Sequence, residues 1–173
     1  LKYKIKPDIC TLGKTISNGY ALTAVVGKKK VMNIANELFI SSTFWTERIG
    51  YVAALKTLET MKKIKSWKII SNKGKIIKSI WEEMSKKYSI DISISGIDAI
   101  PSFIFNYKNH NLLKTFLTKE MLKKNILATN TIYISTSHDE KSILKYKKEL
   151  SLIFLHLENI IYTKNYSKLN INK

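Results

Sequence analysis

The chain has 173 residues, 45% hydrophobic and 25% charged, which is a globular composition. No run approaches the roughly 18 apolar residues of a membrane-spanning helix, and the start carries no apolar signal segment. The formal charge is +17, but Arg48 is the only arginine, so the basic excess lacks the guanidinium forks that nucleic-acid readers use.

We therefore expect a solvated lysine-rich surface, with neither a nucleic-acid nor a membrane partner. The single cysteine, Cys10, excludes an intramolecular disulfide framework and suits a reducing cytoplasm. One cysteine and three scattered histidines give no metal-ligand spacing, so no metal is expected.

Leu1 to Lys6 show no initiator methionine, no cap and no clear element start. Residues 8–12 and 22–26 are apolar and β-branched between turn signals and predict short strands. Between them stand Lys14 and a Ser17-Asn18-Gly19 turn. Lys28-Lys29-Lys30 predicts a solvated turn, and Val31 to Glu37 a helical turn. Phe39 to Arg48 is hydroxyl-rich and aromatic, which suits a loop, with Thr46 as a candidate cap for the next helix. That helix is predicted from Glu47 to about Ile64, with Ala53, Ala54, Leu55, Leu58 and Met61 on its apolar side.

A second helix is expected over 66–88, with Ile77, Trp81, Met84 and Tyr88 as its stripe and Gly74 weakening its first half. Asp91 to Ser95 alternates like a strand, and Gly96 breaks it. Pro101 to Tyr107 reads as another strand, with Phe103 and Phe105 on one face. Leu113, Phe116, Leu117 and Met121 predict a helix from Leu112 to Lys124, and Thr131 to Ser135 a third strand. Ser137-His138-Asp139-Glu140 has the form of a capping box opening a long helix. Its stripe is Ile143, Tyr146, Leu150, Ile153, Leu157 and Ile161. The last ten residues are expected to fray.

The order after residue 65 predicts an α+β unit with a small sheet. Residues 1–46 carry strand-loop-strand material with no sheet of its own, as at the end of a larger α/β domain.

Gly13-Lys14-Thr15 invites a phosphate-loop reading, but that motif needs glycine where this chain has Asp8, and the loop between is apolar. The remaining chemical reading of Lys14 is an amine that attacks an aldehyde cofactor, which a lysine at a strand end can do. An ordinary surface lysine is the alternative. His138, in a helix cap with no carboxylate or nucleophile placed in sequence to orient it as a base, is given a structural or peripheral role. His110 and His156 are read as surface or packing residues. Glu47-Arg48 is either a contact for a substrate carboxylate or an exposed helix start.

Taken together, Pro7 to Lys14, Ser17-Asn18-Gly19-Tyr20, Ala24-Val25-Val26-Gly27 and Ser42 to Arg48, in that order, closely resemble class III aminotransferases. These are fold type I pyridoxal-phosphate enzymes, and the nearest-looking branch is similar to glutamate-1-semialdehyde aminomutase. Phe116 to Ala128 and Ser135 to Glu140 resemble the same family's small C-terminal domain. The resemblance implies the end of a large α/β domain with its linking helix over 1–65, a small α+β domain over 66–162 and a frayed tail over 163–173.

It also implies that Lys14 forms the internal aldimine with pyridoxal 5'-phosphate and moves the substrate's α-proton, and that Thr43 holds the cofactor phosphate. Because that threonine reaches across to a neighbouring subunit in the family, a homodimer with shared active sites is implied. The substrates would be a small-molecule amino donor and a carbonyl acceptor. The family's ring-binding carboxylate, phosphate turn and stacking aromatic lie upstream of its lysine, so the chain reads as truncated at its N-terminus and inactive unaided. Ala128 to Tyr133 carries no carboxylate where the aminomutase has an acidic substrate-site residue. The competing expectation is an inactive basic binding or scaffold module of the same fold.

Overall fold

The computed structural model describes residues 4–169. The chain divides into two compact units, residues 1–65 and 66–173.

In the first unit, β1 (Ile9–Leu12) pairs antiparallel with β2 (Ala24–Gly27), Ile9 opposite Gly27 and Leu12 opposite Ala24. The two strands expected to lack a sheet thus form a ribbon with each other. A 3₁₀ turn over Lys14–Ser17 lies between them. Gly27 is needed where β2 ends, because a Cβ there would stand 2.5 Å from the Asp8 carbonyl oxygen.

The lysine run is not only a turn. Lys28 precedes a short α1 (Lys29–Met32), which passes into a 3₁₀ segment over Asn33–Glu37. After the expected loop comes α2 (Arg48–Ile64). Its cap is Glu47 rather than Thr46: the Glu47 carboxylate accepts the Ile49 N–H at 3.0 Å, because it stands directly before the first helical residue. Of its predicted apolar side only Ala54 is buried, while Leu55 and Leu58 are 70% and 52% exposed.

The second unit is built on α3 (Ser66–Lys87), β3 (Ile92–Ser95), β4 (Ser102–Phe105), α4 (His110–Lys123) and α5 (Glu140–Thr163). β3 and β4 pair antiparallel, Ile92 opposite Phe105. The third strand expected over 131–135 is only a bridge, Ser102 to Thr131, although the Phe103, Ile132 and Ile134 amides bond to Asn130, Pro101 and Ala99 carbonyls at 2.9–3.1 Å.

The predicted stripes of α3 and α4 are buried, and they meet Phe103, Phe105, Leu150, Phe154 and Leu157 in one core. Trp81 and Phe103 cross edge to face with centroids 4.9 Å apart. The cap of α5 is Asp139, not Ser137. Its carboxylate accepts the Ser142 N–H at 2.7 Å, and that bond holds its pKa below the usual value. The tail does not fray at 163: residues 166–169 form a 3₁₀ turn, and Leu169 is buried in the core. Residues 170–173 lie outside the described residues.

Candidate functional site

β1 delivers the chain to Gly13, which is extended, and then to Lys14, whose φ is +52°. A lysine in the left-handed region costs about 1 kcal/mol or more. Most such residues in this chain have a plain reason. Lys65, Ser89, Asn125 and Lys164 follow the ends of α2, α3, α4 and α5, where the left-handed turn lets amides reach the last free carbonyls. Asn18 closes the 3₁₀ turn in the same way. Lys14 instead opens a turn.

The turn around Lys14 is held from within. Ile16 N–H donates to Gly13 O at 3.2 Å and Asn18 N–H to Thr15 O at 3.1 Å. Ser17 is fully buried, and its hydroxyl donates to the Tyr20 carbonyl. The turn also packs against α2. A Cβ on Gly50 would stand 2.9 Å from the Ala21 carbonyl oxygen, so glycine lets the first turn of α2 approach the chain just beyond the lysine turn. Sequence reading missed Ser17 and Gly50 as supports. The available signal was an isolated glycine near the start of a helical run.

Thr43 lies in a turn over residues 43–46 leading into α2. That turn is fastened by Trp45 N–H to Ser42 O (3.2 Å), Glu47 N–H to Phe44 O (3.1 Å) and the Tyr51 hydroxyl to Trp45 O (3.1 Å). α2 is therefore the common support: the Lys14 turn packs on it, and the Thr43 turn is bonded to its first residues. Both side chains are exposed, and so is Arg48 at the start of the helix. Asp8 is occupied elsewhere, its carboxylate 2.5 Å from the Lys28 ammonium. The chain thus offers an accessible primary amine on one turn and an accessible hydroxyl on another, each turn supported by α2.

The other singled-out residues are apart in role. His138 lies in the second unit, and its Nδ1 accepts the Ser135 N–H at 3.1 Å. His156 stacks on Phe116 with centroids 5.3 Å apart. His110 begins α4.

The fold is that of pyridoxal-phosphate transaminases. One similar structure is the PLP internal aldimine form of the FumI protein from Sphingopyxis sp. MTA144, with a TM-score of 0.82 at 19% identity, covering 91% of this chain and 39% of that one. Another is an omega-transaminase from Sphaerobacter thermophilus, with a TM-score of 0.79 at 14% identity over 90% and 40% of the two chains. The family model for aminotransferase class-III matches residues 1–145, and the chain belongs to that family.

Among curated relatives, it is 29% identical over 128 residues to 3-aminobutyryl-CoA aminotransferase of Cloacimonas acidaminovorans, covering 72% of this chain and 31% of the relative. It is 26% identical over 162 residues to glutamate-1-semialdehyde 2,1-aminomutase of Nitrosopumilus maritimus, covering 83% and 38%. The chain thus spans about a third of the length of these relatives.

Proposed function

We propose that this chain supplies the reactive lysine and a phosphate-gripping threonine to a pyridoxal-phosphate-dependent amino transfer. The observation that carries the reading is Lys14, held at positive φ at the opening of a braced turn, inside the stretch that the class III family model matches. When bound, pyridoxal 5'-phosphate supplies an electron sink for the charge left as a substrate α-proton departs.

Each residue then has a defined task. Lys14 Nζ takes that proton and returns it, and the hydrogen-bonded turn from Gly13 to Tyr20 sets where the lysine leaves the backbone. The Thr43 hydroxyl and its backbone N–H hold the phosphate, and the bonds from its turn to α2 keep them oriented. The substrates are a small-molecule amino donor and a carbonyl acceptor. Because Ala128 to Tyr133 carries no carboxylate, transfer between two molecules is favoured over aminomutation. The working form is a cytoplasmic homodimer with shared sites, Thr43 serving the neighbouring subunit. The division of labour is a large-domain portion over 1–65 and a small domain over 66–162.

The test is borohydride reduction of the chain with pyridoxal 5'-phosphate, followed by peptide mapping. It is run with and without a polypeptide carrying the preceding part of a class III large domain. Selective pyridoxylation of Lys14 is expected, strengthened by the added polypeptide and lost in Lys14→Ala. No preference for Lys14 over the other lysines in either arm would leave a non-catalytic module of the same fold.

A further inference from the structure

A groove of about 610 Å³ lies wholly within the second unit, between α3, residues 125–134 and the start of α5. Its size is that of an ordinary small-molecule site. Its walls are aliphatic: Ile77 comes from α3, Ile126 and Ile132 from the connecting stretch, and Ile143 from α5. Tyr146 also lines it, with its hydroxyl oxygen accepting the Trp81 Nε1–H at 2.7 Å. Burial pushes that phenol's pKa well above its ordinary value, so this wall stays uncharged.

The charged side chains of the lining, Lys73 and Lys145, have one sign. Lys73, Lys145 and His138 line the groove, and no carboxylate does. Lys73 Nζ donates to the Thr136 carbonyl at 2.7 Å, which uses one of its three protons. His138 Nδ1 is an acceptor for the Ser135 N–H, so the ring proton stands on Nε2 and is available to donate. Asp139, next in sequence, has its carboxylate engaged by the Ser142 N–H and lies within the fields of Lys141 and Lys73.

We propose that this groove binds a small amphipathic carboxylate, its hydrocarbon body against the isoleucines and its anionic head among Lys73, His138 and Lys145. A neutral amphiphile would leave the cationic rim unanswered, and a cationic one would be repelled by it. The site uses neither Lys14 nor Thr43, but its 128–133 wall is the stretch that the proposed function sets at the substrate side, so it rests on that reading for its place in the whole protein and not for its binding test.

The test is titration of the full chain with decanoate, decanol and decyltrimethylammonium, followed by calorimetry and amide chemical shifts. Decanoate should bind one-to-one and shift amides within 126–134 and 138–146. Lys145 is exposed, so Lys145→Glu should stay folded. It should weaken decanoate by about tenfold, the order of one charge-assisted contact, and leave decanol unchanged. Equal affinity for the three amphiphiles, indifference of decanoate to Lys145→Glu, or shifts centred outside these segments would each overturn the proposal.

Discussion

Inside the core of the second unit, the Trp81 indole N–H and the Tyr146 hydroxyl satisfy each other at 2.7 Å, and both side chains are buried. Neither ring would sit there unpaired without a desolvation penalty. Tyr146→Phe removes the acceptor and strands the indole N–H, at a cost of about 1–3 kcal/mol at pH 7. The pH dependence has a definite sign. Burial raises the folded-state pKa of Tyr146 above the unfolded value near 10. Its contribution is therefore full below about pH 10 and is lost as pH rises beyond it, because the unfolded phenol ionises first. Urea unfolding of wild type and Tyr146→Phe should show a gap at pH 7 that narrows by pH 11. Taking the difference between the two proteins at each pH isolates the Tyr146 contribution. A constant gap would mean that the phenol does not resist ionisation in the fold.

At the scale of elements, α3 shows how a sequence signal can be read with the wrong sign. Gly74 looks like a weak point in a helix, yet a Cβ there would stand 1.7 Å from the Asp98 carbonyl oxygen. Glycine is what lets the 96–100 turn lie on α3. The turn is then pinned by Lys78 Nζ to Asp98 Oδ1 (3.0 Å) and Gly96 O (2.9 Å), and by the Ser71 hydroxyl to Asp98 Oδ2 (2.9 Å). Gly74→Ala should therefore destabilise the protein by about 3 kcal/mol or more, against the gain in helix propensity, because backbone and not a movable side chain is in the way. A melting temperature equal to or above wild type would refute the close approach. The same contrast explains what was legible in the sequence. Ile77, Trp81, Met84, Leu113, Phe116 and Leu117 repeat at helical spacing because they share one core, so the stripes announce themselves. The caps Glu47 and Asp139, the burial of Leu169 and the approach at Gly74 depend on partners distant in sequence or on one-residue registers, which periodicity does not encode. Lys14 stood out in the sequence through the motif around it, but its positive φ and the buried Ser17 that braces it did not.

The two units differ sharply in what holds them. Among the described residues of the first, only Ser17, Gly50 and Ala54 are buried. Its sheet has two strands, and Ile9, Val25 and Val26 are about half exposed on it. A ribbon of that size has little stability of its own. The second unit holds the continuous core around Trp81, Phe103, Phe154 and Leu157, from which most of the folding free energy must come. Local opening should therefore be frequent in residues 4–65 and rare in the core helices of 66–169. Brief trypsin treatment of the native chain, with lysines distributed through both units, should cut between residues 28 and 65 first and leave a resistant piece beginning near Ser66. Amide exchange should show the same order, with slow protons in α3, α4 and α5 and fast ones in β1, β2 and the Lys14 turn. Under the proposed function, the apolar faces of the first unit are contact surfaces for the rest of a class III large domain. A polypeptide supplying that part should then slow cleavage at 28–65 without altering exchange around Trp81. Simultaneous loss of both units, with or without that polypeptide, would mean that they unfold as one cooperative body and that the exposed faces need no partner.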